Sequence, residues 1–569
     1  LSSAAIIFDS KIIAAVCDER LNRQKLFAGF PSKAIEYCLS EGKIAFADLD
    51  VIAVGWNPAR HLVRANRRRA ITAWKADYLV TIPNMLQQFS SDHDIYRVEQ
   101  CLITPSGKQN ILYIDHHMAH LANGFYLSPF HEAALITMDG VGETDTATMA
   151  IGDKKGIHIL KRLKYPHSLG LFYGTFTSFL GFKIDSDEWK VMALAAFGRH
   201  RGKNPYYSKM RNIIRFEKEG FFELDLTYFN YYLQDKVGFS NDKLVSVFGP
   251  PRLPDKKILQ RHYDIAAAVQ WVFEDCMVHC LKTLYDLSGG CKVVALAGGS
   301  LMNSVFNGKL ERVTPFKRSF ISSCPDDSGI SIGAALAARA IINSDRCQPI
   351  DCDDNYWGPE YSLDEIEAAL RKYNIPYKIF NNIEQQTARL LADGKLIGWF
   401  QGRMEFGQRA LGNRSILADP RQEKVKDKVN KAVKYRETFR PFASAVLEEE
   451  AHYYFNTSLN KKVSFMERVL TVRSEFKNVI PAVIHVDGSA RIQTVSKQIN
   501  PKFYRLIKEF GKLTGIPVVL NTSFNLNGEP IVCSPTDAIR TFYSCGLDFL
   551  VIGNCLISKE SDSFLQRIN

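Results

Sequence analysis

Residues 288–300 read Ser-Gly-Gly-Cys-Lys-Val-Val-Ala-Leu-Ala-Gly-Gly-Ser, and this stretch decides the fold class. The unbroken apolar run Val293 to Ala297 predicts a buried strand, bounded on both sides by glycine pairs. Ahead of it, Asp264 to Leu287 carries apolar residues at helical spacing and predicts one long helix. Further out, Ala133 to Met138 predicts a strand that ends at Asp139-Gly140-Val141-Gly142, and Asp50 to Val54 and Asn110 to Ile114 predict two more. Ala4 to Val16 reads as strand, turn, strand about the polar Asp9-Ser10-Lys11. Strands alternating with helices imply an α/β protein. The polar stretch 345–360, with two prolines and a cluster of Asp, is the expected linker between a domain at 1–344 and a second α/β domain at 361–569.

With 569 residues, the usual domain size of about 150 suggests three to four structural units. Apolar residues at 46% and charged residues at 23% exclude a disordered chain, a collagen and a coiled-coil rod. The net charge of +11, from 72 Lys and Arg against 61 Asp and Glu, suits anionic small molecules as well as nucleic acid and selects neither. No apolar run approaches the roughly 18 residues of a spanning helix, and no export signal is visible, so a cytoplasmic protein is expected. The first residue is Leu rather than Met, which predicts a short piece ahead of it. Twelve Cys without a C-x-x-C pair read as free thiols. Arg60, Arg64, Arg67, Arg68 and Arg69 read as a solvated helix face, with an anion- or acceptor-binding edge as the sharper alternative.

The strongest chemical signal is Asp115-His116-His117-Met118-Ala119-His120. His116 and His120 are four apart, so a helix places both imidazoles on one side. His117, three from His120, is the alternative partner. Carboxylates follow other strands at Asp139 and at Asp327, with Asp326 as its neighbour and alternative. Two imidazoles with carboxylates suit a divalent transition metal with open positions, able to polarise a phosphoryl or carbonyl oxygen. The Gly-rich turns at 139–143 and 298–303 could bring backbone N–H groups to phosphates. Neither a P-loop nor a dinucleotide-binding glycine motif is present.

The second unit holds a basic constellation. Gly402 to Ser415 packs three Arg among three Gly, Lys434 to Phe442 adds Lys434, Arg436 and Arg440, and Ser489 to Thr494 adds Arg491. Asn521 to Asn525 is a polar strand end ahead of Gly528. Guanidinium groups bind phosphate bidentately, so this unit reads as a site for a small multiply charged phosphate or a nucleoside triphosphate. A nucleic-acid reading is disfavoured because Phe439 and Phe442 bracket Arg440-Pro441 instead of forming a stacking platform.

The motif at 115–120, together with Ser168 to Tyr173, Glu188 to Met192, Asp264 to Gln270, Arg403 to Arg421 and Asn521 to Phe524, resembles the O-carbamoyltransferases of the NodU/CmcH type in order and over almost the whole chain. The resemblance implies an actin-like (ribonuclease-H-like) ATP-binding domain fused to a C-terminal YrdC-like α/β domain. It implies an ATP-dependent enzyme in secondary-metabolite biosynthesis. Carbamoyl phosphate is hydrolysed in the YrdC-like part. The carbamate and ATP give carbamoyl-adenylate, and the carbamoyl group passes through the interior to a hydroxyl of a small acceptor. By the same resemblance His116, His120, Asp139 and Asp327 would hold iron, and Ser168, Gly299 and Asn303 would contact nucleotide, with Mg accompanying ATP. Arg409, Ala410, Arg440, Arg491 and Asn521 would contact carbamoyl phosphate and ATP, with Arg440 and Arg491 catalytic. Asp225 would act near the acceptor.

Family members commonly begin with His-Asp ahead of a Ser-Ala-Ala run, whereas this sequence opens at Leu1-Ser2-Ser3-Ala4-Ala5. No membrane or nucleic-acid partner is expected, and the acceptor and the oligomeric state, a homo-oligomer included, are left open. The competing expectations are a tRNA threonylcarbamoyl-transferase-like enzyme and a regulatory ATP-binding protein.

Overall fold

The computed structural model describes residues 1–56, 97–104, 107–233, 238–343, 348–350, 352–434, 442–459 and 461–559. The arginines at 60–69, and Arg436 and Arg440, lie outside the described residues. The chain folds as two compact units. One comprises Ala5–Lys11 and Leu39–Cys352, the other Leu1–Ala4, Ile12–Cys38 and Asp353–Asn569. The early segment Ile12–Cys38 thus belongs with the C-terminal half of the chain.

Val293–Ala297 is the strand that its apolar run predicts. It lies in a five-stranded sheet ordered Arg318–Ile321, Val293–Ala297, Ala133–Met138, Asp145–Asp153, Gly156–Lys164. The first three run parallel and the last two antiparallel to their neighbours. Parallel strands need cover on both faces, which explains why Ala133–Met138 is buried at every residue. Helices His116–Tyr126 and Gln260–Leu287 both pack against this sheet. The long helix begins at Gln260, one turn before the expected Asp264, because the His262 imidazole accepts the Leu259 N–H at 2.9 Å and closes that extra turn.

Strand register sets the site. Ala297 pairs with Thr137, and Leu296 pairs with both Ile136 and Ile321. The three parallel strands therefore end nearly level, and the turns after them leave from one edge, where open α/β sheets place their ligands. Gly298 stitches two of these turns by donating its N–H to Pro325 O at 2.6 Å. Its φ of +99° and the approach of Met138 O, 2.4 Å from where a Cβ would sit, admit only glycine. A smaller sheet, Ile52–Val54, Gly107–Ile114 and Arg97–Thr104, feeds its central strand directly into the helix His116–Tyr126.

The second unit is a nine-stranded mixed sheet, ordered Lys378–Ile379, Cys555–Ser558, Phe549–Ile552, Ile397–Phe400, Arg414–Ala418, Val518–Ser523, Ala443–Leu447, Ser489–Val495, Val469–Thr471. Alternate residues face opposite sides. Phe400, Ile416, Leu520 and Leu550 join one core with Leu370 and Phe542. Trp399, Leu417, Val519 and Val551 join another with Leu391 and Phe510. These cores sit under helices Leu363–Lys372 and Pro535–Tyr543 on one face and Ile383–Ala392 and Pro501–Thr514 on the other.

In the first unit, the helix His116–Tyr126 is seated against Ile330–Ile342 by backbone contact. A Cβ on Gly333 would lie 1.9 Å from the Ala119 carbonyl oxygen. Gly333→Ala should therefore cost roughly 1–3 kcal/mol by overpacking and lower the thermal midpoint. A calorimetric scan with an unchanged first transition would refute this account of the helix pair.

Candidate functional site

Four side chains converge at the edge where the parallel strands end. His116 Nε2 lies 3.1 Å and His120 Nε2 2.9 Å from Asp139 Oδ2. The same two nitrogens lie 3.7 and 3.6 Å from Asp327 Oδ1. All four donor atoms fall within 4.8 Å of one another. Each ligand enters from a strand end: His116 and His120 from the helix after Gly107–Ile114, Asp139 after Ala133–Met138, and Asp327 in the turn after Arg318–Ile321. Asp115 caps that helix by accepting the Met118 N–H at 2.9 Å, which fixes the rotation of both imidazoles.

Asp139 is shared by design of the turns. Its Oδ1 accepts the N–H groups of Gly140 at 2.7 Å and Gly299 at 3.3 Å, which leaves Oδ2 to the imidazoles. Burial raises the Asp139 pKa, but the hydrogen bonds from His116 and His120 outweigh it and hold the carboxyl well below its usual range. For His120, burial favours the neutral ring, yet Asp139 and Asp327 push its pKa up to about 9. Excess negative charge thus gathers on this cluster. The donor set fits a divalent metal: two imidazole nitrogens and two carboxylate oxygens, with Asp327 half-exposed and three buried partners.

Geometry also settles two alternatives that the sequence leaves open. His117 is occupied elsewhere: its Nε2–H donates to Asp145 O at 2.9 Å and its Nδ1 accepts from Thr137 Oγ1 at 2.7 Å. Asp326 accepts from Ser328 Oγ and Cys324 Sγ, so Asp327 is the carboxylate that meets the imidazoles. One residue that the sequence reading missed is Glu143. It is buried, and both of its carboxylate oxygens accept the His116 N–H, at 3.1 and 3.2 Å, tying the Asp139 turn to the helix. Its only advance signal is its place four residues after Asp139.

The other expected contacts of this unit take varied places. Ser168 is buried as the N-cap of Leu169–Phe179, accepting the Leu171 N–H at 3.0 Å and donating to Gly140 O at 2.6 Å. Asn303 caps Ser304–Val313 and exchanges two hydrogen bonds with Gln270, at 2.9 and 3.1 Å. Gly299 reaches the cluster through its N–H. Asp225 caps the short turn Leu226–Tyr228, bonds Thr227 and pairs with Lys243 at 3.2 Å.

In the second unit, two expected residues flank Ala443 in the sheet. Ala443 pairs with Arg491 on one side and Asn521 on the other, so the side chains of Arg491 and Asn521 emerge in one row on one face. Asn521 Nδ2 donates to Gln493 Oε1 at 3.0 Å and to Ala410 O at 3.3 Å. Among the described residues its buried Oδ1 has no hydrogen-bond partner. Arg440 lies outside the described residues.

Two of the three arginines between Gly402 and Ser415 are engaged inside the fold. Arg414 is fully buried, donates to Gln401 O, Gly402 O and Pro359 O, and stacks 3.6 Å over the Phe400 ring. Arg403 donates to the carbonyls of Ile13, Trp357 and Gly358. Both guanidinium groups are engaged with backbone carbonyls, and Arg403 also with the Tyr37 hydroxyl. Arg409, the third arginine of the segment, is part-exposed.

Two family models match this chain: Carbamoyltransferase N-terminus over residues 2–336 and Carbamoyltransferase C-terminus over residues 388–559. The chain belongs to the carbamoyltransferase family. This carbamoyltransferase is 36% identical over 604 residues to an uncharacterized protein of Synechocystis, covering 98% of this chain and 95% of that one. It is 35% identical over 574 residues to the nodulation protein NolNO of Sinorhizobium fredii, covering 99% of this chain and 79% of the relative. It is 32% identical over 259 residues to the 3'-hydroxymethylcephem-O-carbamoyltransferase of Amycolatopsis lactamdurans, covering 46% and 47%. The mixed α/β fold, the donor cluster and the Arg491–Asn521 row are thus parts of a carbamoyl-transferring enzyme. Among the described residues of the carbamoyltransferase, no helix is long and apolar enough to cross a membrane.

His117 supplies a pH test of the wall behind the cluster. Burial, and then the neighbouring His116 and His120, lower its pKa from 6.5 to about 3. The folded state keeps the ring neutral while the unfolded chain protonates it, so stability is full above pH 6.5 and declines as the pH falls toward 3. In metal-free protein, urea titrations between pH 6.5 and 5 should show wild type losing on the order of 1 kcal/mol per pH unit more than His117→Gln. Equal slopes for the two proteins would remove His117 from the acid response.

Proposed function

We propose that this chain is an ATP-dependent O-carbamoyltransferase that activates carbamoyl phosphate as carbamoyl-adenylate and passes the carbamoyl group to a hydroxyl of a small natural product in secondary-metabolite biosynthesis. The observation that carries the reading is the four-donor cluster at the carboxyl ends of the parallel strands, beside the Gly298-Gly299 turn, in a chain of the carbamoyltransferase family. The name of the Amycolatopsis relative, an O-carbamoyltransferase of a hydroxymethylcephem, supports a hydroxyl acceptor. The sheet order of the first unit supports the actin-like reading: three antiparallel strands in sequence, extended by two parallel strands beyond the first of them. The YrdC-like reading of the second unit rests on the resemblance stated above.

The chemistry divides between the units. In the second, water releases phosphate from carbamoyl phosphate. The resulting carbamate oxygen attacks the α-phosphorus of ATP, forming a C–O–P bond and expelling pyrophosphate. Arg409, Arg440 and Arg491 would neutralise phosphate charge as it redistributes, while Asn521 Oδ1 would accept the carbamoyl N–H₂ and Ala410 would line the pocket. Carbamate is a poor electrophile, and joining it to AMP supplies the leaving group. In the first unit the acceptor hydroxyl attacks the carbamoyl carbon, AMP departs, and a proton is lost to a base, for which Asp225 is the candidate. A divalent metal, iron by the family resemblance, held by His116, His120, Asp139 and Asp327 would supply Lewis acidity toward phosphate oxygens. Gly299 would meet nucleotide through its backbone, with Ser168 and Asn303 shaping the turns on either side. Exclusion of water protects the adenylate.

Purified protein incubated with carbamoyl phosphate, ATP and Mg, without acceptor, should release pyrophosphate and yield carbamoyl-adenylate by mass spectrometry. Arg491→Ala should reduce this at least about tenfold, as loss of a charged hydrogen bond to phosphate would. Absence of both products from folded, metal-loaded protein would overturn the adenylate route. Separately, His120→Ala and Asp139→Asn should lose most of the iron that wild type retains after gel filtration, read by elemental mass spectrometry, and undiminished iron in both would reject this cluster as the metal site.

A further inference from the structure

The loop from Gly402 to Asn413 contains neither helix nor strand, yet Met404, Glu405, Phe406, Ala410 and Leu411 within it are at most 3% exposed. A buried irregular segment must find a partner for each backbone polar group. Its carbonyls are taken one by one. Phe406 O accepts from Asn355 Nδ2 at 2.7 Å, Gly407 O from Arg20 Nη2 at 3.1 Å, and Ala410 O from Asn521 Nδ2 at 3.3 Å. Leu411 O accepts from Gln493 Nε2 at 2.8 Å, and Gly412 O from Trp399 Nε1 at 2.8 Å.

Its N–H groups are handled differently. Those of Leu411, Asn413 and Arg414 converge on one atom, Glu405 Oε1, at 2.6, 3.2 and 3.2 Å. A single buried carboxylate therefore folds the C-terminal arm of the loop back on its start. A second buried charge is Arg20, itself 4% exposed and paired with the 5% exposed Glu19 at 3.0 Å. Arg20 grips the carbonyl of Gly407, two residues before Arg409, although it lies 387 residues earlier in the chain. Two buried, opposite charges thus bracket the turn Gln408-Arg409-Ala410.

We propose that Glu405 and Arg20 are positioning residues that set Arg409 and Ala410 for the substrate phosphate. This rests on the reading of Arg409, Ala410, Arg491 and Asn521 as carbamoyl phosphate contacts. Glu405 acts through the backbone on the C-terminal side of the turn, and Arg20 through the Gly407 carbonyl on its N-terminal side. The site of the C-terminal unit therefore depends on a side chain from the segment Ile12–Cys38.

The test is calorimetric titration of carbamoyl phosphate into the full chain, as wild type, Glu405→Ala, Glu405→Gln, Arg20→Lys and Arg491→Ala. Glu405→Ala should weaken binding about tenfold, because three buried N–H groups lose their acceptor. Glu405→Gln keeps an acceptor oxygen and should recover most of that loss. Arg20→Lys keeps a charge beside Glu19 but loses the planar fork that reaches Gly407, and should bind roughly three- to tenfold more weakly while remaining folded. If Glu405→Ala does not fold, Arg20→Lys decides alone. Wild-type affinity in the folded Glu405 and Arg20 variants, with Arg491→Ala weakened, overturns the positioning inference. Wild-type affinity in Arg491→Ala instead overturns the reading of the site beneath it.

Discussion

The first unit turns on how one carboxylate is divided. Asp139 gives Oδ1 to two backbone N–H groups, one from its own turn and one from Gly299, and only Oδ2 remains for the imidazoles. That division exists because Ala133–Met138 and Val293–Ala297 run parallel and end level, so two turns distant in sequence reach the same carboxyl group. The left-handed Gly298 lets the second turn come this close. Glu143 and Asp115 then fix the helix that carries His116 and His120. Sheet register, glycine conformation and helix capping all serve one arrangement of four donors.

The second unit solves a related problem with a loop. Its sheet is buried on both faces by alternating apolar residues, which leaves one end of the Arg491–Asn521 row to be roofed by an irregular segment. Such a roof is stable only if its peptide groups are satisfied, and the residues that satisfy them are polar or charged and buried: Glu405, Arg414, Asn355, Gln493 and Arg20. Charge in this region therefore has two roles. Arg403 and Arg414 hold backbone, while Arg409 and Arg491 are the arginines that the proposed function assigns to phosphate. Net basicity alone does not separate them.

Taken together, the two units offer complementary chemistry. One supplies nitrogen and oxygen donors with surplus negative charge, suited to a cation and to phosphate oxygens bound through it. The other supplies guanidinium groups and an orphan amide oxygen, suited to a small phosphate that carries an amide. The proposed transfer from carbamoyl phosphate would use both kinds of surroundings, one where phosphate charge is neutralised and one where the carbamoyl group meets its acceptor.

Much of this was legible in the sequence. The run Val293 to Ala297, the long helix after Tyr263, the His116–His120 spacing and the Asp139 turn are local patterns. They follow from helical and strand periodicity that any reader of the chain can count. What only the tertiary structure decided is which members of each cluster come together. His117 turns to Thr137 and Asp145, Asp327 and not Asp326 meets the imidazoles, two of three arginines in Gly402 to Ser415 are spent on carbonyls, and Ile12–Cys38 joins the C-terminal unit. The reason is physical. Periodicity says which side of an element a side chain leaves, but its partner is set by register between strands and by buried backbone groups that must be satisfied, and both are fixed by residues far away along the chain.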